Sequence, residues 1–280
     1  MKIGAMASSI RLPLSEAAAK FQDMQLSGIQ LFATSELLAY SDKELSEAKK
    51  ICADAGLEIT AVCGDMSAPR FGVTSEMFER VDIVKKIIDI TRKLDSRIVT
   101  THIGVVPEDV SDPVFQNMAQ SIGACAEYAA KNGAFFAIET GPESAETLLK
   151  LIKTIDSDGL KVNFDPANLR MVSCIDPVHA VEVLAEYIIH THAKDGINLT
   201  PGSPAARYKM YHADGSLRDI KEPAPVFKEV PLGEGQVPWG DYLDALRKIG
   251  YAGSLTIERE QGDTREKDIR HAANFLRERI

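Results

Sequence analysis

The chain of 280 residues is 45% hydrophobic and 26% charged, a globular composition that excludes a disordered chain, a collagen and a disulfide-stapled miniprotein. Lys and Arg number 32 against 41 Asp and Glu, a formal net charge of −9, and a field of that sign repels phosphate backbones and anionic headgroups, so neither nucleic acid nor a membrane surface is an expected partner. At ~150 residues per domain the length admits two domains, yet barrels of alternating strands and helices use ~250 residues as one.

In chain order, short apolar runs recur at Ile3–Ala7, Gly28–Ala33, Leu57–Val62, Ile98–His102, Ala134–Glu139, Lys161–Asp165, Tyr187–His192 and Leu255–Glu258. Runs of this length, apolar on both faces, are what parallel strands covered by helices require. Lys2 and the apolar residues to Ile10 loosely imitate an export signal, but Ser8, Ser9 and Arg11 cut the apolar part short, and the start reads as a strand.

Helix starts are marked between the runs. Ser41 stands three residues before Glu44 as a capping box, and Asp112-Pro113 and Asp176-Pro177 place an acceptor before a first-turn proline. The last segment, Thr264–Ile280, puts Ile269, Ala272, Ala273, Leu276 and Ile280 on one face, so it is expected to pack outside the sheet. The longest stretch without Asp, Glu, Lys or Arg is Pro113–Ala126, shorter than the ~18 apolar residues of a membrane span. Cys52, Cys63, Cys125 and Cys174 show no metal-binding or redox spacing and read as small core residues in a reducing compartment, here the cytoplasm.

Eight strand–helix repeats without a dividing linker predict a single (β/α)8 TIM barrel over residues 1–280, with a doubly wound sheet as the alternative; no G-x-G-x-x-G follows the first strand to support a dinucleotide fold. One departure from even spacing is a long insertion at about 197–230 after the seventh strand. It carries Arg207, Tyr208, Lys209, Tyr211 and His212 among several prolines, and reads as a lid or as a contact between copies of the chain in a homo-oligomer.

A barrel gathers the carboxyl ends of its strands at one mouth, and there stand His102, Glu139, Asp165, His192 and Glu258. Alternation puts Asn163 with Asp165, His190 with His192 and Thr256 with Glu258 on the inward face. Carboxylates brought together repel by about 4 kcal/mol per pair at 4 Å and an effective dielectric near 20. A divalent cation removes that repulsion, and three carboxylates with one imidazole suit Mn2+ best, with Mg2+, Co2+ or Zn2+ as alternatives. Asp165, standing before Pro166, also reads as no more than a helix cap. His190 lies a layer deeper than His192 and reads as a hydrogen-bonded core imidazole, while His102 contacts substrate or orients a ligand. His179, His212 and His271 read as surface residues without chemistry.

The matching segments Thr101-His102-Ile103-Gly104, Ile138-Glu139, Asn163-Phe164-Asp165-Pro166-Ala167-Asn168, His190-Thr191-His192-Ala193-Lys194-Asp195, Leu232-Gly233-Glu234-Gly235 and Thr256-Ile257-Glu258 resemble the sugar phosphate isomerase/epimerase group of the xylose-isomerase-like TIM barrels. The resemblance implies one metal held by Glu139, Asp165, His192 and Glu258. It implies too that the two glutamates act as an acid/base pair around a cis-enediolate, as in the ketose 3-epimerases. The chain departs from those enzymes at Asn168, where they have His, and in lacking an Arg shortly after His192. Its His-x-Lys-Asp form is shared with inosose-dehydratase-like members, in which the same enolate expels a hydroxyl and Lys194 would assist.

The expected function is therefore a metal-dependent isomerase or epimerase of a sugar, keto-polyol or related hydroxy-carbonyl compound. A lyase of the dehydratase type is the runner-up, and a non-catalytic metal–sugar binding protein comes third. Six histidines and the net charge of −9 speak against a multi-zinc nuclease on the same barrel. His102, Asn168, Lys194, Arg70 and Arg207 are the expected substrate contacts, although Lys194 reads equally as a surface partner of Asp195, and Arg70, Arg207 and Lys209 as ordinary loop charges.

Overall fold

A computed structural model describes residues 1–200 and 226–280. Eight parallel strands close a barrel: β1 (Lys2–Met6), β2 (Gly28–Phe32), β3 (Glu58–Cys63), β4 (Ile98–Thr101), β5 (Phe135–Glu139), β6 (Leu160–Phe164), β7 (Ile188–Ala193) and, at the far end of the chain, Ser254–Ile257. This last strand pairs with both β1 and β7, so the ring is complete. Each strand coincides with one of the eight apolar runs to within two residues. Two shorter strands, β8 (Asp195–Asn198) and β9 (Phe227–Val230), lie outside the barrel as an antiparallel ribbon, and the closing strand is β10. The ribbon thus joins the two ends of the expected insertion; Arg207, Tyr208, Lys209, Tyr211 and His212 lie outside the described residues.

The helices begin where their caps predict. In α4 (Asp42–Asp54) the Ser41 hydroxyl accepts from the Glu44 N–H while the Glu44 side chain accepts from the Ser41 N–H. Asp112 and Asp176 cap α6 (Pro113–Lys131) and α8 (Pro177–Leu184) by accepting the N–H groups of Val114 and Val178, each with proline in the first turn. The remaining helices are α1 (Ala7–Ile10), α2 (Leu14–Asp23), α3 (Ser35–Ala39), α5 (Met77–Lys93), α7 (Ala145–Ile155), α9 (Trp239–Lys248) and α10 (Arg265–Arg277). In α10, Ile269, Ala272, Ala273 and Leu276 are buried as expected. Ile280 is not: it is 42% exposed, because the helix ends at Arg277 and the chain leaves its path. Truncating Leu276, fully buried between helix and sheet, would cost about 2–5 kcal/mol.

The apolar layer between sheet and helices, with Ile29, Val99, Ile138, Val162 and Leu255 on the strand side, holds the barrel rigid. Inside, towards the mouth, the filling turns polar: Gln30, Thr100, Asn163, His190 and Thr256 are all buried. Their hydrogen bonds are internal, as burial demands. His190 Nδ1 meets Asn163 Oδ1 at 2.8 Å and its Nε2 meets Thr256 Oγ1 at 3.0 Å, the hydrogen-bonded core imidazole expected. Burial and the neighbouring His192 hold it well below the usual histidine range, so it stays neutral. Cys52, Cys63 and Cys125 are buried, and Cys174, like them, is unbridged. No helix among the described residues is long and apolar enough to cross a membrane.

Candidate metal centre

Four strand ends deliver the centre. Glu139 closes β5; Asp165 follows β6; His192 lies on β7; Glu258 follows β10. One donor atom from each lies within 4.8 Å of all the others. From His192 Nδ1 the distances are 3.2 Å to Glu258 Oε2, 3.4 Å to Glu139 Oε1 and 3.7 Å to Asp165 Oδ2. The parallel register produces this convergence: Glu139 pairs with Asn163, Asn163 with His190, and His192 with Thr256, which places these ends at one level.

Each side chain is held by its neighbours. Gln30, on β2, gives its amide to Thr100 Oγ1, which turns its Oε1 toward His192 Nε2 at 3.0 Å. With Nε2 turned to Gln30, Nδ1 is the ring nitrogen that faces the three carboxylates. Glu139 accepts from Asn163 Nδ2 at 3.1 Å on Oε2 and from Asn168 Nδ2 at 2.9 Å on Oε1. Asp165 divides its work: Oδ1 accepts the N–H groups of Ala167 and Asn168 at the start of the helical turn that follows it, while Oδ2 points into the cluster. The cap and the candidate ligand are one residue.

Asp165 Oδ2 and His192 Nδ1 are fully buried and have no hydrogen-bond partner among the described residues. Buried polar atoms are seldom left so, and here they face each other among two further carboxylates. Ligand bonds of about 2.1 Å at right angles would separate neighbouring donors by about 3 Å, close to the spacings found. The residues fit a divalent ion. Burial alone would push His192 down and Glu258 up, but Glu139 and Glu258 hold the imidazole well above its usual range, and Lys194 and His192 hold the Glu258 carboxyl well below its own. Glu139, without a lysine partner, is raised by burial despite His102 and His192.

Around this core stand the other expected site residues. His102 is half-exposed; its Nδ1 lies 2.8 Å from Asp65 Oδ2 and its Nε2 3.3 Å from Glu139 Oε1. Asp65 also accepts the His102 backbone N–H, so it fixes both ring and main chain. Lys194 is a correction to the expected surface pair with Asp195. Only 3% exposed, it donates to Glu258 Oε2 at 2.9 Å and to Glu260. Asp195, equally buried, accepts instead from the N–H groups of Gly196, Gly233, Gly235 and Val237 and from Trp239 Nε1. A Cβ on Gly235 would lie 2.0 Å from Asp195 Oδ1, so only glycine lets the chain come so close. Arg70 lines a small pocket of about 90 Å3 shared with His102, and pairs with Glu76. His179 and His271 are exposed on helices, as expected. Sequence reasoning missed Gln30 and Asp65, although Asp65 stands just past a strand end, the same signal that marked the four candidate ligands.

A curated relative, the uncharacterized protein MJ1311 of Methanocaldococcus jannaschii, is 26% identical over 195 residues, 64% of this chain; the match spans 56%, about half, of that protein's length. The xylose isomerase domain protein from Planctomyces limnophilus superposes with a TM-score of 0.80 at 26% identity, covering 99% of this chain and 95% of that one. A D-tagatose 3-epimerase-like protein follows at 0.76 and 22% identity, covering 99% and 96%, a likeness of fold alone. The model of the xylose isomerase-like TIM barrel family matches residues 18–279, and the chain belongs to that family.

Proposed function

We propose that this chain is a divalent-metal-dependent isomerase or epimerase of a sugar, keto-polyol or related hydroxy-carbonyl compound. Glu139, Asp165, His192 and Glu258 hold the ion, with Mn2+ the best match to their three-oxygen, one-nitrogen set. The observation that carries this reading is the pair of partnerless buried atoms, Asp165 Oδ2 and His192 Nδ1, aimed at one point between two glutamates. When bound, the ion would supply Lewis acidity to a carbonyl and hold the adjacent hydroxyl oxygen.

The chain's own residues move the proton. Lys194 keeps Glu258 ionised, which makes it the group ready to remove a proton from the carbon beside the carbonyl; the C–H electron pair passes to the carbonyl oxygen as the enediolate forms. Glu139, the second glutamate of the cluster, returns the proton to carbon. One proton must then travel back from Glu258 to Glu139, and His102, 3.3 Å from Glu139 Oε1 and open to solvent, offers a path. Asn168 orients Glu139, and Arg70 and His102, which share one pocket, would contact the substrate. The fold shared with a D-tagatose 3-epimerase-like protein agrees with this reading.

The test is isotope exchange. Metal-loaded protein in D2O with a panel of ketoses, keto-inositols and hydroxypyruvate should label a carbon next to the carbonyl, and Glu258→Gln or Glu139→Gln should lower the rate about 10²–10⁴-fold. No labelling with any of the panel would sink the proposal. Lys194 favours a second reading, β-elimination, since its buried ammonium stands beside the same base and can hydrogen-bond a departing hydroxyl. Product mass separates the two: unchanged for an epimerase, lower by one water for a lyase.

A further inference from the structure

Beside Glu258 a cleft of about 260 Å3 opens between the connection after β1, made of α1 and Arg11, and the loop after β10. The two segments are neighbours because their strands pair in register, Ala5 opposite Ile257. Ser9 Oγ ties them by accepting the Arg259 N–H at 2.9 Å.

Six ionisable residues line the cleft: Arg11, Asp65, Glu258, Arg259, Glu260 and Arg265. Four are spoken for. Asp65 belongs to His102; Glu258 and Glu260 share Lys194. The Arg259 guanidinium lies between Glu229, at 2.5 Å, and Asp268, at 2.9 Å. Arg11 and Arg265 make no ion pair among the described residues. Among the described residues Arg265 donates to neutral acceptors, the carbonyls of Gly262 and Arg259. Partial burial, then the like charge of Arg11, press its guanidinium below the usual arginine range against the opposite pull of Glu229 and Glu260. Two cations brought to one cleft repel, and an oxyanion between them removes the repulsion while matching the planar donor fork of each.

The geometry points to a substrate whose far end carries an oxyanion, a phosphate or a carboxylate, seated between Arg11 and Arg265 while its hydroxy-carbonyl end lies at Glu258. This deepens the proposed isomerase or epimerase and rests on it for the placing of the reactive end; the anion site itself does not. In a chain of net charge −9, two unpaired arginines beside the reactive glutamate give the local attraction that an anionic substrate needs.

Two titrations of the full chain test it. In the first, inorganic phosphate is the probe, followed by calorimetry: the wild type should bind it at least tenfold more tightly than the Arg11→Gln/Arg265→Gln variant. Absence of binding, or equal binding in the variant, overturns the inference. In the second, the Mn2+-loaded chain takes D-fructose, D-fructose 6-phosphate and D-fructuronate, which share one reactive end. One of the two anionic ketoses should bind at least tenfold more tightly than D-fructose, and which one does so separates phosphate from carboxylate. That gain should vanish in the double variant with D-fructose affinity unchanged. No gain in the wild type, or a gain that survives the two substitutions, overturns the substrate class. Phosphate binding that depends on Arg11 and Arg265 in a chain that takes up no Mn2+ would instead sink the metal reading and uphold the anion site.

Discussion

The ammonium of Lys194 lies 2.9 Å from Oε2 of Glu258, and both side chains are buried at the floor of the barrel mouth. A carboxylate so placed without a cation would bear the full cost of desolvation. Lys194→Met should therefore destabilise the metal-free chain by about 3 kcal/mol, the order found when one partner of a buried pair is removed. Urea unfolding in the presence of a chelator measures it. Lys194→Met should also slow proton exchange more than it weakens substrate binding, since it acts through Glu258. A loss under 0.5 kcal/mol would mean that water reaches Glu258 and that the pair is dispensable.

Metal addition should stabilise the fold by mass action. With Mn2+ at about 100 times its dissociation constant the expected gain is about 2.7 kcal/mol, read as a rise in the thermal midpoint that chelation reverses. Asp165→Asn keeps an oxygen to cap the turn at Ala167 and Asn168 but removes the ligating charge. It should fold and lose the metal-dependent rise. An equal rise in wild type and variant would place the ion elsewhere.

Much of this was readable beforehand, for physical reasons. Parallel strands buried on both faces must be apolar runs, and the caps at Ser41, Asp112 and Asp176 need only local hydrogen bonds, so both are written in neighbouring residues. The four candidate ligands stood out because each stands at or just past the carboxyl end of a strand. What escaped depended on distant pairings. Gln30 reaches His192 across 162 positions of sequence, and no local pattern marks a glutamine as the clamp of an imidazole. Lys194 and Asp195 look like a surface pair because they are adjacent, yet neighbours on extended chain point to opposite sides. One turns in to Glu258, the other out to the 233–239 turn.

That outward turn makes a separate prediction. Asp195 accepts three backbone N–H groups of residues 233–237, its own neighbour's N–H, and the indole of Trp239, the single tryptophan of the chain. Asp195→Ala leaves these donors without their acceptor, at about 1–3 kcal/mol for a buried group left unpaired. Trp239 emission should shift to longer wavelength as water enters. Asp195→Asn, which keeps one carbonyl oxygen, should fall between the two. Unchanged fluorescence in Asp195→Ala would show that the turn is held by its packing alone.

Glu143 makes the chain sensitive to pH. It follows the β5 end that carries Glu139 and is 2% exposed; the Gly141 N–H lies 3.3 Å from Oε1, the backbone of Glu143 and Val106 adds weaker support, and Oε2 has no hydrogen-bond partner among the described residues. Burial pushes its carboxyl up to about 7. The folded chain therefore holds a proton that the unfolded chain, with an ordinary carboxyl near 4.5, gives up. The stability this group contributes is complete below pH 4.5, declines as pH rises, and is lost above pH 7, an integrated change of about 3 kcal/mol. Glu143→Gln stays neutral throughout, so the difference in unfolding free energy between wild type and variant should move in the variant's favour from pH 5 to pH 8. Other groups titrate alike in both proteins and cancel in that difference. A difference independent of pH would mean that Glu143 is ionised in the folded chain, with a cation or water supplying the partner its Oε2 lacks.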